Sequence, residues 1–295
     1  MSTIQHVVTC YNSRRHDRAG DGRSTFFQSR EQDMKNLIIA FAATFALFVA
    51  SAPLKAELQT QMVRYKDGDV ALQGYFAWDD TIKGKRPGIL VVHEWWGLND
   101  YVRKRANMLA KLGYLAFAVD MYGNDKVTEH ANQASEWMQQ ITSNVEAWQK
   151  RALLGLDIMR THDVVDRQRT AAIGYCFGGA TVMQLTYAGA ALAGVVSFHG
   201  SLPVPTPEQA KMIRSRVLIA HGSADTFMPS ERIVSFQNAL NGADVDWQMI
   251  VYGGARHGFT NPDADLHGMD NLRYHKVADE RSWQDMQRFL KEILQ

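Results

Sequence analysis

The chain of 295 residues carries 32 basic and 31 acidic side chains, and 46% of its residues are apolar. This length and apolar fraction are those of a large globular domain with a full core, and they argue against overall disorder. The formal net charge of +1 gives no electrostatic reason to expect nucleic acid or an anionic membrane surface as a partner. The two cysteines, Cys10 and Cys176, have no second Cys or His at metal-finger spacing, so we expect neither a disulfide framework nor a metal site.

The N-terminal part of the chain divides into two segments. Residues 1–33 are polar and arginine-rich without apolar periodicity, and Met34 is an alternative translation start. Residues 34–56 contain a lysine, an uncharged apolar run and then small residues, which is the order of a secretory signal peptide. The run is too short for a stable membrane anchor, although a buried core helix is the alternative. We therefore predict cleavage after Ala56, a periplasmic or secreted location and a mature domain at 57–295.

The mature part begins with two predicted strands, 61–65 and 72–78, joined by the turn residues 66–69 as a hairpin. Short apolar runs then alternate with longer amphipathic segments, which indicates βαβ units and a mostly parallel sheet. The predicted strands are 88–92, 115–119, 170–173, 194–198, 217–220 and 245–251, and the predicted helices are 101–112, 129–141, 145–160, 178–187, 230–240 and 282–294. Asp100, Ser143 and Ser282 are candidate N-caps or first-turn residues.

Strand 170–173 runs directly into Gly174-Tyr175-Cys176-Phe177-Gly178, which has the G-x-C-x-G pattern of a nucleophile elbow. The pattern requires glycines two residues to either side, because Cβ atoms there would collide with neighbouring backbone in the strained strand-to-helix turn. The helix N-terminus that follows favours a thiolate. Cys176 is therefore the candidate nucleophile, and the alternative is a small buried side chain.

An acid and a base follow the cysteine in the order expected for this kind of site. Asp225 lies in a turn after strand 217–220, and His257 lies in a glycine-rich loop after strand 245–251. Strand-end carboxylates in such sheets point into the ligand crevice, although Asp225 could instead only cap the next helix. His199, His221 and Asp120 also lie at strand ends, and we interpret them as packing or turn residues because the histidines would break the usual chain order.

The loop after strand 88–92 carries His93, Glu94 and Trp95. In an α/β-hydrolase this loop supplies the second N–H of the oxyanion hole, so the N–H groups of Trp95 and Phe177 are the predicted pair. Glu94 has two interpretations from spacing alone, a functional carboxylate or an ordinary loop residue.

Taken together, these segments resemble the dienelactone hydrolase family, carboxymethylenebutenolidase-like cysteine α/β-hydrolases without a separate lid domain. The similarity rests on the early hairpin, residues 93–99, 120–123, 174–179, the Asp225 turn and residues 254–259. The resemblance implies an α/β-hydrolase fold, with a mostly parallel sheet and an N-terminal antiparallel hairpin. It also implies a triad of Cys176, Asp225 and His257, with Glu94 close to the resting thiol.

Two positions depart from the family members that degrade dienelactones, in which arginines bind the substrate carboxylate. Asn261 stands where one of these arginines is expected, and no arginine occurs in residues 129–134. We therefore expect an uncharged ester or lactone rather than a charged diene lactone.

The leading hypothesis is a hydrolase that forms an acyl-enzyme on Cys176 and needs no metal or organic cofactor. Its partner would be a small-molecule ester or lactone with a good leaving group, such as an enol or phenol, because a thiolate is itself easily expelled. The alternative is a non-catalytic binding protein on the same scaffold, with Cys176 as a redox-sensitive or ligand-contacting thiol. The sequence does not indicate an oligomeric state.

Overall fold

The computed structural model describes residues 57–295, so the predicted extension 1–33 and signal peptide 34–56 lie outside the described residues. The described part contains a sheet of eight strands in the order β1-β2-β4-β3-β5-β6-β7-β8. The strands are β1 Leu58–Asp67, β2 Val70–Asp79, β3 Arg86–Val92, β4 Leu115–Val119, β5 Val165–Tyr175, β6 Gly194–Phe198, β7 Arg216–Gly222 and β8 Trp247–Tyr252. The helices are α1 Asp100–Lys111, α2 Ala131–Thr142, α3 Val145–Thr161, α4 Phe177–Tyr187, α5 Pro207–Met212, α6 Ser230–Asn241 and α7 Lys276–Ile293. None of these helices is both long enough and apolar enough to cross a bilayer.

The sheet has the mixed topology that the sequence predicts. Strands β1 and β2 pair as an antiparallel hairpin through a two-residue turn, in which Gly68 has a φ of +59° that a residue with a Cβ rarely adopts. Strand β2 also pairs antiparallel with β4, whereas every pair from β4 through β3 to β8 is parallel. The predicted α/β-hydrolase fold, with a mostly parallel sheet and an N-terminal hairpin, is confirmed.

Helices cover both faces of the sheet and divide the core into two layers. One layer contains the buried faces of α3, α4 and α6, with Trp148, Met183 and Phe236 among its members. The other layer contains α1 and α7, with Leu109 and Met286 among its members. Strands β3 to β7 are therefore buried on both faces, which explains their nearly continuous apolar runs.

Two helices differ from the predictions. Helix α7 begins six residues before the predicted start, and Ser282 lies inside it, where its hydroxyl donates to Asp279 O (3.0 Å). Its actual N-cap is His275, whose Nδ1 accepts from Ala278 N (3.2 Å). Helix α5 was not predicted, although Thr206 forms a capping box with Gln209 before it, because the helix is too short to show an apolar period.

The other two proposed caps also move by one residue. Asn99 caps α1 by accepting from Val102 N, and Asp100 occupies the first turn, as one of its two predicted roles allowed. Ser143 ends α2 rather than starting α3, which Asn144 caps. Such shifts occur because either of two adjacent polar residues can occupy the N-cap position, and sequence alone does not determine which of them does so.

Candidate active site

Cys176 forms the turn between β5 and α4 and has a φ of +54°, a strained conformation for a residue with a Cβ. Its N–H donates to Phe198 O (3.0 Å), which ties the turn to the end of β6. A Cβ on Gly174 would lie 2.0 Å from Gly178 O, and a Cβ on Gly178 would lie 2.2 Å from Val92 O. The two glycines are therefore required by close backbone approach, as the elbow pattern predicts, and they leave the thiol partly exposed at the carboxyl edge of the sheet.

His257 and Asp225 lie opposite this turn and contact each other. The His257 Nδ1 is 2.8 Å from Asp225 Oδ2, and both side chains are almost fully buried. Asp225 Oδ1 accepts from Phe227 N (3.0 Å), so both of its oxygens have partners. Because Asp225 binds Nδ1, the other ring nitrogen of His257 is left for the thiol.

The electrostatics of His257 reflect the two groups beside it. Burial alone would lower its pKa, but the Cys176 thiolate and the hydrogen bonds to Asp225 and to the thiol raise the pKa to about 10. A histidine in this environment keeps its proton when the thiol ionises. The arrangement can therefore support a thiolate–imidazolium pair, with Asp225 stabilising the positive charge.

A cavity of about 210 Å³ opens beside the thiol. Its lining is apolar except for Ser201 and the reactive pair, and consists of Trp95, Met138, Cys176, Phe177, Ser201, Phe227, His257 and Leu272. Trp96 and Phe259, which lie close in sequence to Trp95 and His257, do not line the cavity. Trp96 stacks on His267 with ring centroids 3.8 Å apart, and Phe259 is buried in the α1–α7 layer.

Both predicted oxyanion donors adjoin this cavity. Neither Trp95 N nor Phe177 N donates to an acceptor within residues 57–295. Tyr122 Oη donates to Trp95 O (3.0 Å) and so fixes the orientation of that loop. Two free backbone N–H groups beside a thiol are suited to hold the oxyanion of a tetrahedral intermediate.

A model of the dienelactone hydrolase family matches residues 72–294. The chain belongs to this family. It is 39% identical to the solved structure of m3DLH, with a TM-score of 0.78 over 81% of this chain and 99% of that one. It is 37% identical to a dienelactone hydrolase-like promiscuous phosphotriesterase from metagenomic libraries, with a TM-score of 0.79 over 82% of this chain and 100% of that one. A curated relative, "Protein usf" of Aquifex pyrophilus, is 27% identical over 68% of this chain and 87% of its own length.

Membership of the dienelactone hydrolase family identifies the chain as a hydrolase of esters or lactones, so the predicted enzyme class is confirmed. In this family member Glu94 is buried, and its Oε2 accepts from Asn261 Nδ2 (2.7 Å). Burial raises the pKa of Glu94 to about 7, against the opposing effects of that hydrogen bond and of the nearby His257 and Arg105 charges. Within the described residues Glu94 makes no hydrogen bond to Cys176, so its direct partner is the amide rather than the thiol.

The two expected departures from the dienelactone-degrading family members can now be located. Asn261 is buried and does not line the cavity, and its Oδ1 also accepts from Asp263 N (3.0 Å). Helix α2 contributes Met138 to the cavity instead of an arginine. Arg256, which immediately precedes His257 in the sequence, donates to Asp270 O (2.6 Å) and does not line the cavity.

Asp120, His221 and His199, the other acidic and histidine side chains at strand ends, have structural surroundings that differ from one another. Asp120 Oδ1 accepts from Tyr122 N and Gly123 N and so closes the turn after β4. His221 lies inside β7 and its pKa is lowered by burial. His199 is different, because its ring packs against His257 with centroids 5.2 Å apart.

Four functional contacts escaped sequence reasoning: the Tyr122 hydroxyl and the cavity walls Met138, Phe227 and Leu272. The Tyr122 position was part of the family pattern at 120–123, which was the available signal. The three walls are single apolar side chains on separate elements and carry no local signature. Within the part of the chain that the structure describes, no three His, Cys, Asp or Glu side chains are grouped so that they could hold a metal ion.

Proposed function

We propose that the chain hydrolyses a neutral ester or lactone through a triad of Cys176, His257 and Asp225. The Cys176 thiolate attacks the carbonyl carbon, and the carbonyl electron pair becomes an oxyanion that accepts hydrogen bonds from Trp95 N–H and Phe177 N–H. The oxyanion collapses, the C–O bond to the leaving group breaks, and protonated His257 gives its proton to the leaving oxygen. The product of this half-reaction is a thioester on Cys176.

Hydrolysis of the thioester completes the cycle. Neutral His257 takes a proton from water as the water oxygen attacks the thioester carbonyl, and Asp225 stabilises the imidazolium that forms. The second tetrahedral intermediate expels the Cys176 thiolate and releases the acid. Each step uses only side chains and backbone groups of this chain.

The observation that carries the proposal is the position of Cys176 at a strained elbow, facing a histidine whose Nδ1 is held by a buried aspartate at 2.8 Å. Rapid mixing with p-nitrophenyl acetate tests it, because an acyl-enzyme that forms faster than it hydrolyses releases a burst of nitrophenol close to the enzyme concentration. The burst should be absent in Cys176→Ala. Turnover that is unchanged in Cys176→Ala would exclude the thiol as the nucleophile, and a wild type that releases no nitrophenol above the uncatalysed rate would favour the binding-protein alternative.

The cavity supports the proposed substrate class. No lysine or arginine side chain is among the residues that line it, and apart from Ser201 and the reactive pair its walls are aromatic or aliphatic. Desolvating a carboxylate there without a cationic partner is costly, so the site favours neutral substrates. Neutral phosphotriesters are a second candidate class, because a 37% identical relative is a dienelactone hydrolase-like promiscuous phosphotriesterase and the cavity favours uncharged compounds. Release of nitrophenol from diethyl p-nitrophenyl phosphate, abolished in Cys176→Ala, tests this class.

We also propose that the enzyme acts after export to the periplasm or outside the cell. Support comes from the signal-like order of residues 34–56. N-terminal sequencing of the protein from periplasmic and culture fractions should begin at Glu57. A chain that retains Met34 and stays in the cytoplasmic fraction would contradict export.

A further inference from the structure

His199 lies behind His257 at the carboxyl end of β6, and the mechanism above gives it no part. Its side chain is fully buried, and its φ of +40° lies in the left-handed region that residues with a Cβ rarely adopt. Its N–H donates to Ala220 O (2.8 Å), which fixes the backbone against β7. Such strain persists only where the surroundings over-determine it, and it concentrates at functional sites.

The rings of His199 and Phe227 together confine the His257 ring. His199 meets His257 at an interplanar angle of 65° with centroids 5.2 Å apart, and Phe227 meets it at 87° with centroids 5.0 Å apart. Asp225 holds only the Nδ1 atom of His257, so it leaves rotation about that hydrogen bond free. The two flanking rings restrict this rotation by packing.

A chain of buried hydrogen bonds extends from α1 to His199. Arg105 is anchored by Asp279 Oδ1 of α7 and by Thr260 O, each 2.5 Å from its Nη2. Its Nε donates to Tyr101 Oη (3.3 Å). Tyr101 Oη lies 2.6 Å from Thr260 Oγ1, which lies 2.7 Å from His199 Nε2. The chain therefore connects two helices and the loop after β8 to the end of β6.

The donors along this chain have one consistent direction. Tyr101 Oη accepts from Arg105, and the only acceptor for its own proton within the described residues is Thr260 Oγ1. The Thr260 proton is then directed to His199 Nε2, which must be an acceptor. The single proton of the His199 ring is consequently on Nδ1, an atom without a hydrogen-bond partner in the described part of the chain.

The surroundings of His199 also keep the ring uncharged. Burial is the main reason that its pKa lies well below the ordinary value, and the facing charges of His257, Arg105 and His221 lower it further. None of these main influences on the pKa of His199 comes from a carboxylate. A neutral His199 leaves His257 as the histidine that carries the positive charge beside Cys176.

We propose that His199 is a positioning residue for His257, held by the Arg105–Tyr101–Thr260 chain as an imidazole that accepts at Nε2. The inference rests on the proposed function, because it assigns the alignment of His257 toward Cys176 to a residue outside the triad. The ring of His199 supports the face of His257, and the chain fixes the rotamer and the tautomer of His199. The hydroxyl groups of Tyr101 and Thr260 thus act on the reaction through His199, without contact to substrate.

The tautomer is tested directly by ¹⁵N NMR of histidine-labelled enzyme. The wild type should show His199 protonated at Nδ1 and unprotonated at Nε2. Tyr101→Phe removes the donor to Thr260, so its hydroxyl can then accept from His199, and a population protonated at Nε2 should appear. A wild-type His199 that carries its proton on Nε2 overturns the inference, and this measurement needs neither activity nor a variant.

Burst kinetics with p-nitrophenyl acetate test the effect on the reaction. Thr260→Val and Tyr101→Phe should lower the burst rate constant about tenfold with little change in the substrate concentration for half-maximal rate, because small misplacements of a reacting group are costly. Thr260→Ser keeps the hydroxyl and should restore a rate within about twofold of the wild type. Tyr75→Phe is the matched control, because it removes another tyrosine hydroxyl bonded to α1, at Asn107.

Equal burst rates in Thr260→Val and Thr260→Ser would overturn the inference while leaving the proposed function intact. Wild-type turnover that is unchanged in Cys176→Ala would instead contradict the proposed function, and the tautomer measurement would still test the hydrogen-bond chain. The two hypotheses therefore fail in different experiments.

Discussion

Two regions around the reactive pair differ in chemistry, a buried polar base and the apolar mouth of the cavity. The polar base consists of buried side chains that bond to one another or to backbone groups, namely Glu94, His199, Asp225, Thr260 and Asn261. The apolar mouth consists of Trp95, Met138, Phe227 and Leu272. The base is fixed by specific donors and acceptors, whereas the mouth is held by packing, which tolerates substitution of similar volume. Changes in the base should therefore alter rate, and changes in the mouth should alter the choice of substrate.

The largest expected effect is the loss of Cys176, the proposed nucleophile. Cys176→Ala should lower kcat/KM for p-nitrophenyl acetate by at least a thousandfold, because triad members act as a unit and their removal costs several orders of magnitude. His257→Ala should cost nearly as much. Ser201→Ala, which changes another cavity side chain, should stay within a few-fold of wild type. Retention of more than about a tenth of the wild-type rate by Cys176→Ala would show that the thiol is not the nucleophile.

Loss of the acid should cost less than, or about as much as, loss of the nucleophile. Asp225→Asn presents an amide donor to His257 Nδ1, which favours the wrong tautomer, and a rate loss on the order of 10²- to 10⁴-fold is expected. The pKa of His257 should also fall, since Asp225 contributes to its raised value. The measurement is kcat/KM together with the pH titration of His257 by NMR. Asp100→Asn on the exposed face of α1 is the control, and an equal loss there would refute the assignment.

The elbow was predictable because its constraints are local. Gly174 and Gly178 approach backbone atoms of adjacent elements, and their spacing around Cys176 is visible in the sequence. The chain order of Asp225 and His257 follows from the fold, since each lies after a parallel strand and such ends meet at one edge. The elbow turn and the strand ends both depend on backbone geometry, which the residues of a short sequence segment determine.

The partners inside the polar base were not predictable in this way. Glu94 and Asn261 are separated by 167 positions, and no sequence pattern pairs their side chains. Arg105 reads as an ordinary polar position of an amphipathic helix, although it is buried against Thr260 and Asp279. Side-chain pairing across elements depends on three-dimensional packing, which has no period in the sequence.

Glu94 should make stability depend on pH in the acidic range. The unfolded chain ionises this carboxyl near pH 4.5, whereas the folded chain keeps the proton until about pH 7. The folded state binds more protons between these values, so the free energy of unfolding falls as the pH rises through this window, by about 3 kcal/mol from this group. The side chain in Glu94→Gln cannot ionise, so the free energy of unfolding of this variant should not show that decrease.

Urea denaturation at pH 4.5 and pH 8 measures this difference. The free energy of unfolding of Glu94→Gln relative to wild type should increase between the two pH values, while Glu136→Gln, at an exposed position of α2, should show no such trend. A relative stability that is independent of pH would mean that Glu94 ionises normally in the folded protein.

The smallest expected effect sharpens the role of the mouth. A neutral methyl ester should be turned over at least about tenfold better than the matched substrate with a free carboxylate, because each missing charge-assisted hydrogen bond forfeits roughly 1.5–3 kcal/mol. The comparison is of kcat/KM at constant ionic strength, since exposed charges are screened by salt.

Met138→Arg adds a cation to the cavity wall and should reverse or reduce the preference, whereas Met138→Leu should preserve it. Arg256→Ala should leave the preference unchanged, because Arg256 bonds to Asp270 O outside the cavity. A tenfold preference of the wild type for the free acid, lost in Arg256→Ala, would instead identify that arginine as the cationic anchor and would place the choice of substrate charge outside the apolar mouth.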